Sequence, residues 1–266
     1  MSQAIYNTII SKIEDIEDIE KVVVSLSGGL DSSIMLHLMV KIFGPKKVAA
    51  ISFNYNQRHD VELYQAQRTT ALLGVQHQLV DISFLGKMAA GVSAMVKGDV
   101  ATPTMEDVLG DPQPVTYMPN RNMILASLTA AFAESINANA IALGIQKIDS
   151  YSYWDTTPEF YEAIENVFLL NRKNPIRFLA PFLSFDKSDE IRLGKFLGVD
   201  FGMTWTCYNP IVERAADSYE REPAGGRNIV AHYSYRPCGV CPSCKERKQG
   251  FWKADNTEDT LVEVVI

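Results

Sequence analysis

The sequence predicts an α/β fold, a doubly wound parallel sheet followed by a cysteine-bearing C-terminal segment. Three observations carry this expectation. Short runs of aliphatic and β-branched residues alternate with longer amphipathic stretches, the pattern of strand–helix–strand units. The first such run passes through a double glycine directly into a helical pattern. All four cysteines lie beyond residue 206.

Residues 1–20 are expected to form a short amphipathic N-terminal helix, because isoleucine recurs at 5, 9, 10, 13, 16 and 19 among polar residues. Residues 21–26 (KVVVSL) read as a buried strand, which Ser27-Gly28-Gly29 breaks. A helix follows over 31–43 and stops at Gly44-Pro45. Residues 48–53 predict the second strand, 60–73 a helix ended by Gly74, and 75–80 the third strand. Residues 86–120 are rich in Gly, Pro, Asp and Thr, and a loop of that length in a compact domain is functional or mobile. An alanine-rich helix is expected over 122–136 and a fourth strand over 140–144. A polar, aromatic loop over 145–157 leads into a helix running to about residue 170, and 186–197 predicts one more. The chain thus divides into an N-terminal helix (1–20), an α/β body (21–200) and a C-terminal cysteine segment (201–266) with a polar insertion at 213–235. A parallel sheet of about five strands accommodates these units.

Composition narrows the functional classes. With 266 residues, 47% hydrophobic and 21% charged, the chain is an ordinary globular protein. A net charge of −7 leaves no basic excess for phosphate neutralisation, so direct nucleic-acid binding is not expected. Apolar stretches such as 123–132 are too short to span a bilayer. The N-terminal residues lack a basic region and an apolar core before a cleavage site, so no signal peptide is expected. A cytoplasmic location with reduced thiols follows as the default.

Ser25-Leu26-Ser27-Gly28-Gly29-Leu30-Asp31-Ser32-Ser33 stands where the first strand passes into the first helix of the body. Two adjacent glycines let backbone N–H groups close on phosphate oxygens, and the helix adds its positive dipole end. Ser27, Ser32 and Ser33 add hydroxyls, while Asp31 would hold Mg²⁺ or cap the helix. A plain strand–turn–helix junction would use the same glycines; the placement between strand and helix favours the anion cradle. No Gly-Lys-[Ser/Thr] follows, so this is not a Walker cradle, and G-x-G-x-x-G is absent. The stretch resembles the SGGxDS loop of the PP-loop ATPases, which implies cleavage of ATP between the α and β phosphates and transfer of AMP to a substrate oxygen.

Cys207 and the closely spaced Cys238, Cys241 and Cys244 supply four thiolates, a closed tetrahedral set for structural Zn²⁺. C-x-x-C-x-x-C would also suit an iron–sulfur cluster. Lys245, Arg247 and Lys248 are expected to offset the thiolate charge.

Five further blocks narrow the resemblance. Phe53-Asn54-Tyr55-Asn56-Gln57-Arg58-His59 is similar to the F-D-Y-G-Q-R-H segment of the 7-cyano-7-deazaguanine synthases. Pro119-Asn120-Arg121-Asn122 resembles their P-G-R-N. Pro181, followed by Asp186-Lys187-Ser188-Asp189-Glu190-Ile191, resembles their P-L-x-x-x-D-K-x-E-I. Thr206-Cys207-Tyr208-Asn209 and the C-x-x-C-x-x-C run, with Arg247 and Gly250 behind, resemble their zinc segment. The blocks keep the family's order from residue 21 to about 252. The resemblance implies ATP-dependent conversion of 7-carboxy-7-deazaguanine to its nitrile with ammonia, through an acyl-adenylate, by a ligase in queuosine biosynthesis.

It also implies roles. Ser25 to Gly29 and Asp31 to Ser33, with Phe53 and Arg58, would bind ATP; Asp31, Lys187 and Arg121 would serve the chemistry as metal ligand and cationic stabilisers. His59, Asp149, Tyr153 and Asp155 would hold the second substrate, with ATP, Mg²⁺ and Zn²⁺ as cofactors and a homodimer as the assembly. Residues 144–156 depart from the family's G-V-C-E-T-D-F-S-G-Y-P-D-C: Lys147 replaces its glutamate, so Asp149 or Asp155 is expected to face the base's N–H edge. Two other readings follow from the same residues. One is a relative that stops at the amide or joins the activated carboxylate to another amine, such as a protein's, recruited by 213–235. The other is a nucleotide-binding module without turnover, against which the intact loop, Asp31 and Lys187 speak. Transfer-RNA thiolation would need an RNA-binding domain and a spare cysteine, and the sequence offers neither.

Overall fold

The computed structural model describes residues 2–13, 16–111, 113–146, 153–221, 227–261 and 263–266. Helix α1 (Ser2–Lys12) precedes β1 (Val22–Ser25), whose valines are fully buried on both faces. Helix α2 (Leu30–Phe43), β2 (Val48–Asn54), α3 (Val61–Leu73) and β3 (Gln76–Asp81) complete the first half of the sheet. Short helices α4 (Ser83–Ala89) and α5 (Met105–Val108) lead to α6 (Arg121–Ser135) and β4 (Ala140–Leu143). Then come α7 (Pro158–Leu169), β5 (Arg177–Leu179) and α8 (Lys187–Leu197).

The five strands are parallel in the order β3-β2-β1-β4-β5, with Val22 opposite both Val48 and Ala140. Strand pleating sends alternate residues to opposite faces. Val22, Val24, Ala50 and Ala142 pack with Ile34, Leu38 and Ile191 of α2 and α8. Val23, Ile51 and Ile141 pack with Ala126, Ala130 and Phe160 of α6 and α7. Small alanines on α6 let that helix lie close against the strands. Strand order reverses between β1 and β4, so their carboxyl ends open a crevice at the switch point.

Beyond the body, β6 (Ile211–Arg221) and β7 (Arg227–Arg236) form an antiparallel ribbon that β8 (Val264–Val265) extends to a three-stranded sheet. Helix α9 (Pro242–Asp255) packs on α8, and Arg192 of α8 donates to the carbonyls of Ala254 (3.1 Å) and Lys253 (2.6 Å). Close approach is allowed by Gly250, where a Cβ would stand 2.6 Å from Lys187 Cγ.

Three expectations differ from these elements. The helix expected over 1–20 covers Ser2–Lys12, with a separate turn at Ile16–Asp18. Glu14, Asp15, Glu17, Asp18 and Glu20 would repel at helical spacing. The insertion at 213–235 lies largely within the β6–β7 ribbon. Residues 86–120 are not featureless: α5 carries a Thr104–Asp107 capping box, and Gln57 bridges to Val96. No helix among the described residues is long and apolar enough to cross a membrane.

Candidate functional site

The crevice begins with the turn after β1. Gly28 holds a φ of 90°, and a Cβ there would meet the Glu62 carbonyl oxygen at 1.9 Å. Only glycine permits that backbone and that approach. Gly29 caps α2 without a side-chain bond, so the first N–H groups of the helix keep their free direction toward the crevice. Ser27 Oγ and Ser32 Oγ lie 3.0 Å apart, and Ser27 Oγ accepts from Gly29 N at 3.1 Å, which fixes the turn. Trp205 N, from the C-terminal segment, donates to the Gly28 carbonyl at 2.9 Å. Across the crevice Gly144 ends β4, and a Cβ there would press on the Asp31–Ser32 backbone at 3.0–3.1 Å. Ser25, Ser27, Gly29, Asp31 and Ser32 line a cavity of about 240 Å³; Leu26 and Ser33 are buried behind it.

Lys187, first residue of α8, pairs with Asp31 and lies 3.9 Å from Glu190 Oε2. With its amide oriented by these neighbours, Gln146 donates to Glu190 Oε1 at 2.7 Å and accepts from Lys187 Nζ at 2.6 Å. Burial would raise the Asp31 carboxyl, but the Lys187 charge and hydrogen bonds from Glu190 and Lys187 hold it below the ordinary range. Glu190 is pushed well above its ordinary value by burial and by the Asp31 charge. The pair stands at the first turn of α2.

Arg121, at the start of α6, lines both this cavity and an adjoining chamber of about 170 Å³. Burial disfavours its charge, yet Tyr55, Tyr153, Tyr208 and Asp155 around it more than compensate and hold it protonated. Tyr153 and Tyr208 line the chamber; Tyr153 Oη and Thr116 Oγ1 are 2.6 Å apart. His59 and Glu62 line the first cavity and approach to 3.4 Å. Burial and the Arg121 charge push His59 down to about 4, and burial pushes Glu62 up to about 8. Both are therefore neutral near pH 7, a polar wall without net charge.

Other expected site residues stand elsewhere. Phe53 is buried in the core under α6 and does not line the crevice. Arg58 donates to the carbonyls of Val96 (2.8 Å), Gly98 (2.5 Å) and Val100 (2.6 Å), bracing the loop instead. Asp155 is buried and accepts Asn122 N at 3.0 Å, capping α6 in place of Asn120. Lys147 and Asp149 lie outside the described residues. Glu190 stood in the Asp186–Ile191 block without an assigned role, while Glu62 and Glu246 went unread, because nothing in their local sequence marks them as lining a crevice.

The four cysteines come together below Trp205. Their Sγ atoms all lie within 4.8 Å of one another, and Cys238 N donates to Cys207 Sγ at 3.2 Å. This compact set of soft donors fits a tetrahedral Zn²⁺ with no open position. Arg247 does not offset the thiolates as expected: it forms a bidentate pair with Asp259 (2.5 and 2.8 Å) and donates to Thr204 Oγ1 (2.8 Å) and Phe201 O (2.9 Å).

A family model described as queuosine biosynthesis protein QueC matches residues 21–255. Relatives named 7-cyano-7-deazaguanine synthase include that of Pseudoalteromonas atlantica, 35% identical over 248 residues, 91% of this chain and 98% of the relative. That of Aquifex aeolicus is 36% identical over 237 residues, 86% of this chain and 95% of the relative. Solved structures with partial likeness include the U34-tRNA thiolase NcsA of Methanococcus maripaludis, with a TM-score of 0.48 and 13% identity over 74% of this chain and 64% of that one. The NH3-dependent NAD synthetase of Campylobacter jejuni has a TM-score of 0.45 and 16% identity, over 76% and 74%.

Proposed function

Because this chain belongs to the QueC family of queuosine biosynthesis proteins, we propose that it converts 7-carboxy-7-deazaguanine to 7-cyano-7-deazaguanine with ammonia and ATP. The observation that carries the reading is the uncapped α2 N-terminus facing the Asp31–Lys187 pair, with the chamber of Arg121, Tyr153 and Tyr208 adjoining it.

A carboxylate is a poor acyl donor until its oxygen joins a good leaving group. The substrate carboxylate attacks the α-phosphorus, and pyrophosphate departs into the N–H groups of Leu30 to Ser32. Arg121 and Lys187 offset the charge that builds on the phosphoryl oxygens. Ammonia then displaces AMP to give the amide. A second ATP adenylates the amide oxygen, and loss of AMP with the last N–H proton leaves the nitrile. Asp31 would hold the Mg²⁺ that neutralises the pyrophosphate. Cys207, Cys238, Cys241 and Cys244 would hold Zn²⁺ as a cross-link of the C-terminal segment.

A cytoplasmic homodimer belongs to the same proposal, checked by sedimentation. The β6–β7 ribbon between Cys207 and Cys238 supports a second reading, in which the activated acid is passed to an amine on a docked protein. Mass spectrometry of a reaction with 7-carboxy-7-deazaguanine, ATP and ammonia separates the two. The nitrile with AMP and pyrophosphate is expected; the amide as end product favours the second reading, and ADP with phosphate overturns both.

A further inference from the structure

The chamber beside the phosphate cradle carries a carboxylate that no motif announced. Glu246 lines it together with Tyr153, Tyr208 and Arg121. Asp31, which also lines it, pairs with Lys187. Glu246 sits one helical turn before Gly250, so the two share a face of α9. Gly250 contacts Lys187, which directs that face toward the chamber. The neighbouring Arg247 locks the same turn through Asp259, Thr204 and Phe201. The Glu246 charge reaches Tyr153 and Tyr208 and adds, after burial, to their hold on their protons.

We propose that Glu246 reads the N1–H and 2-amino edge of a guanine-type base held in this chamber. The inference rests on the substrate class named above and adds the residue that selects it. A carboxylate presents two acceptor oxygens and no donor, the complement of two adjacent N–H groups. A guanine-type ring offers that pair, whereas an adenine-type ring presents a lone pair at N1 and is repelled. Arg121 and the α2 N-terminus take the opposite, anionic end, so charges of both signs in the chamber meet the two ends of one ligand. Tyr153 and Tyr208 supply aromatic surface for the ring. Asp155 is held away by its bond to Asn122 N.

The test is calorimetric titration of the full-length, metal-replete protein with 7-carboxy-7-deazaguanine and with the same compound lacking the 2-amino group. ATP titrations run in parallel. Glu246→Ala is expected to weaken the amino compound about tenfold to a hundredfold and to leave ATP affinity unchanged. Glu246→Gln, which keeps the shape but turns one acceptor into a donor, should erase the preference for the amino compound. Retention of that preference in both variants overturns the proposal. So does a parallel loss of ATP affinity, the signature of a merely structural role, and so does a wild-type protein that binds neither compound. Wild-type binding that depends on Glu246, without AMP or nitrile formation, upholds the proposal and overturns the catalytic reading alone.

Discussion

Replacing Gly28 with alanine places a methyl carbon 1.9 Å from the Glu62 carbonyl oxygen. That oxygen belongs to the α3 backbone, so no side-chain rotation relieves the contact. The turn must retreat by roughly 1 Å or more to restore ordinary van der Waals separation. The φ of 90° adds strain of its own, about 1–2 kcal/mol for a residue with a Cβ. Retreat also pulls the Gly28 carbonyl from Trp205 N, now 2.9 Å away. A displacement of about 1 Å at reacting groups costs about a hundredfold in rate. Gly28→Ala is therefore expected to slow pyrophosphate release about a hundredfold at saturating ATP, and to lower the melting temperature by a few degrees. Gly29→Ala is the milder comparison, since its φ is −74° and its Cβ would meet Ser27 Oγ at 3.1 Å and the Trp205 carbonyl oxygen at 3.3 Å, contacts far looser than the one at Gly28. Steady-state pyrophosphate assays and thermal melts read both effects. If Gly28→Ala keeps wild-type kcat, or if Gly29→Ala is the more damaging change, the cradle has been misread.

Three further outcomes are expected. Lys187→Ala should cut AMP formation about a hundredfold to a thousandfold, measured in single-turnover assays, with the fold retained by circular dichroism; an unchanged rate would remove Lys187 from the chemistry. Metal analysis of the wild type is expected to give one Zn²⁺ per chain, and Cys238→Ser or Cys244→Ser to abolish it and release the C-terminal segment to proteolysis; iron in the wild-type protein contradicts the site. Glu62, raised by burial from 4.5 to about 8, holds its proton longer folded than unfolded. Its contribution to stability is accordingly full below 4.5 and lost as pH rises through about 8, so the melting temperature of Glu62→Gln should gain on wild type across that window; parallel curves would refute the buried protonated state.

The sheet was legible where sequence periodicity had a buried face to answer to. β1 to β4, α2, α3 and α6 stand within a few residues of their expected limits because valine and isoleucine runs meet glycine stops there. β5 spans three residues, too few for any periodicity to register. The ribbon escaped for the opposite reason. Ile211 and Val212 remain about half exposed, so no core enforced an apolar alternation. At the site, the cysteines and the glycine turn were readable because their chemistry depends on local spacing. Arg58, His59 and Asp155 also belong to recognisable blocks, but the sequence did not reveal where each side chain turns. Arg58 spends its donors on the 96–100 carbonyls, and Asp155 spends one of its two oxygens on α6.

The Trp205–Gly28 hydrogen bond and the Asp31–Lys187 pair tie the turn after the first strand to residues made much later, the latter across 156 positions. Contacts so distant form only after a long loop has closed. On the ribosome the strand, the glycines and the first helix emerge early, yet the lysine and the tryptophan that complete their surroundings are still unsynthesised. Truncated or stalled chains therefore display the nucleotide loop without its partners. The surroundings of the loop are completed only once residues 187 and 205 of the 266 have been made.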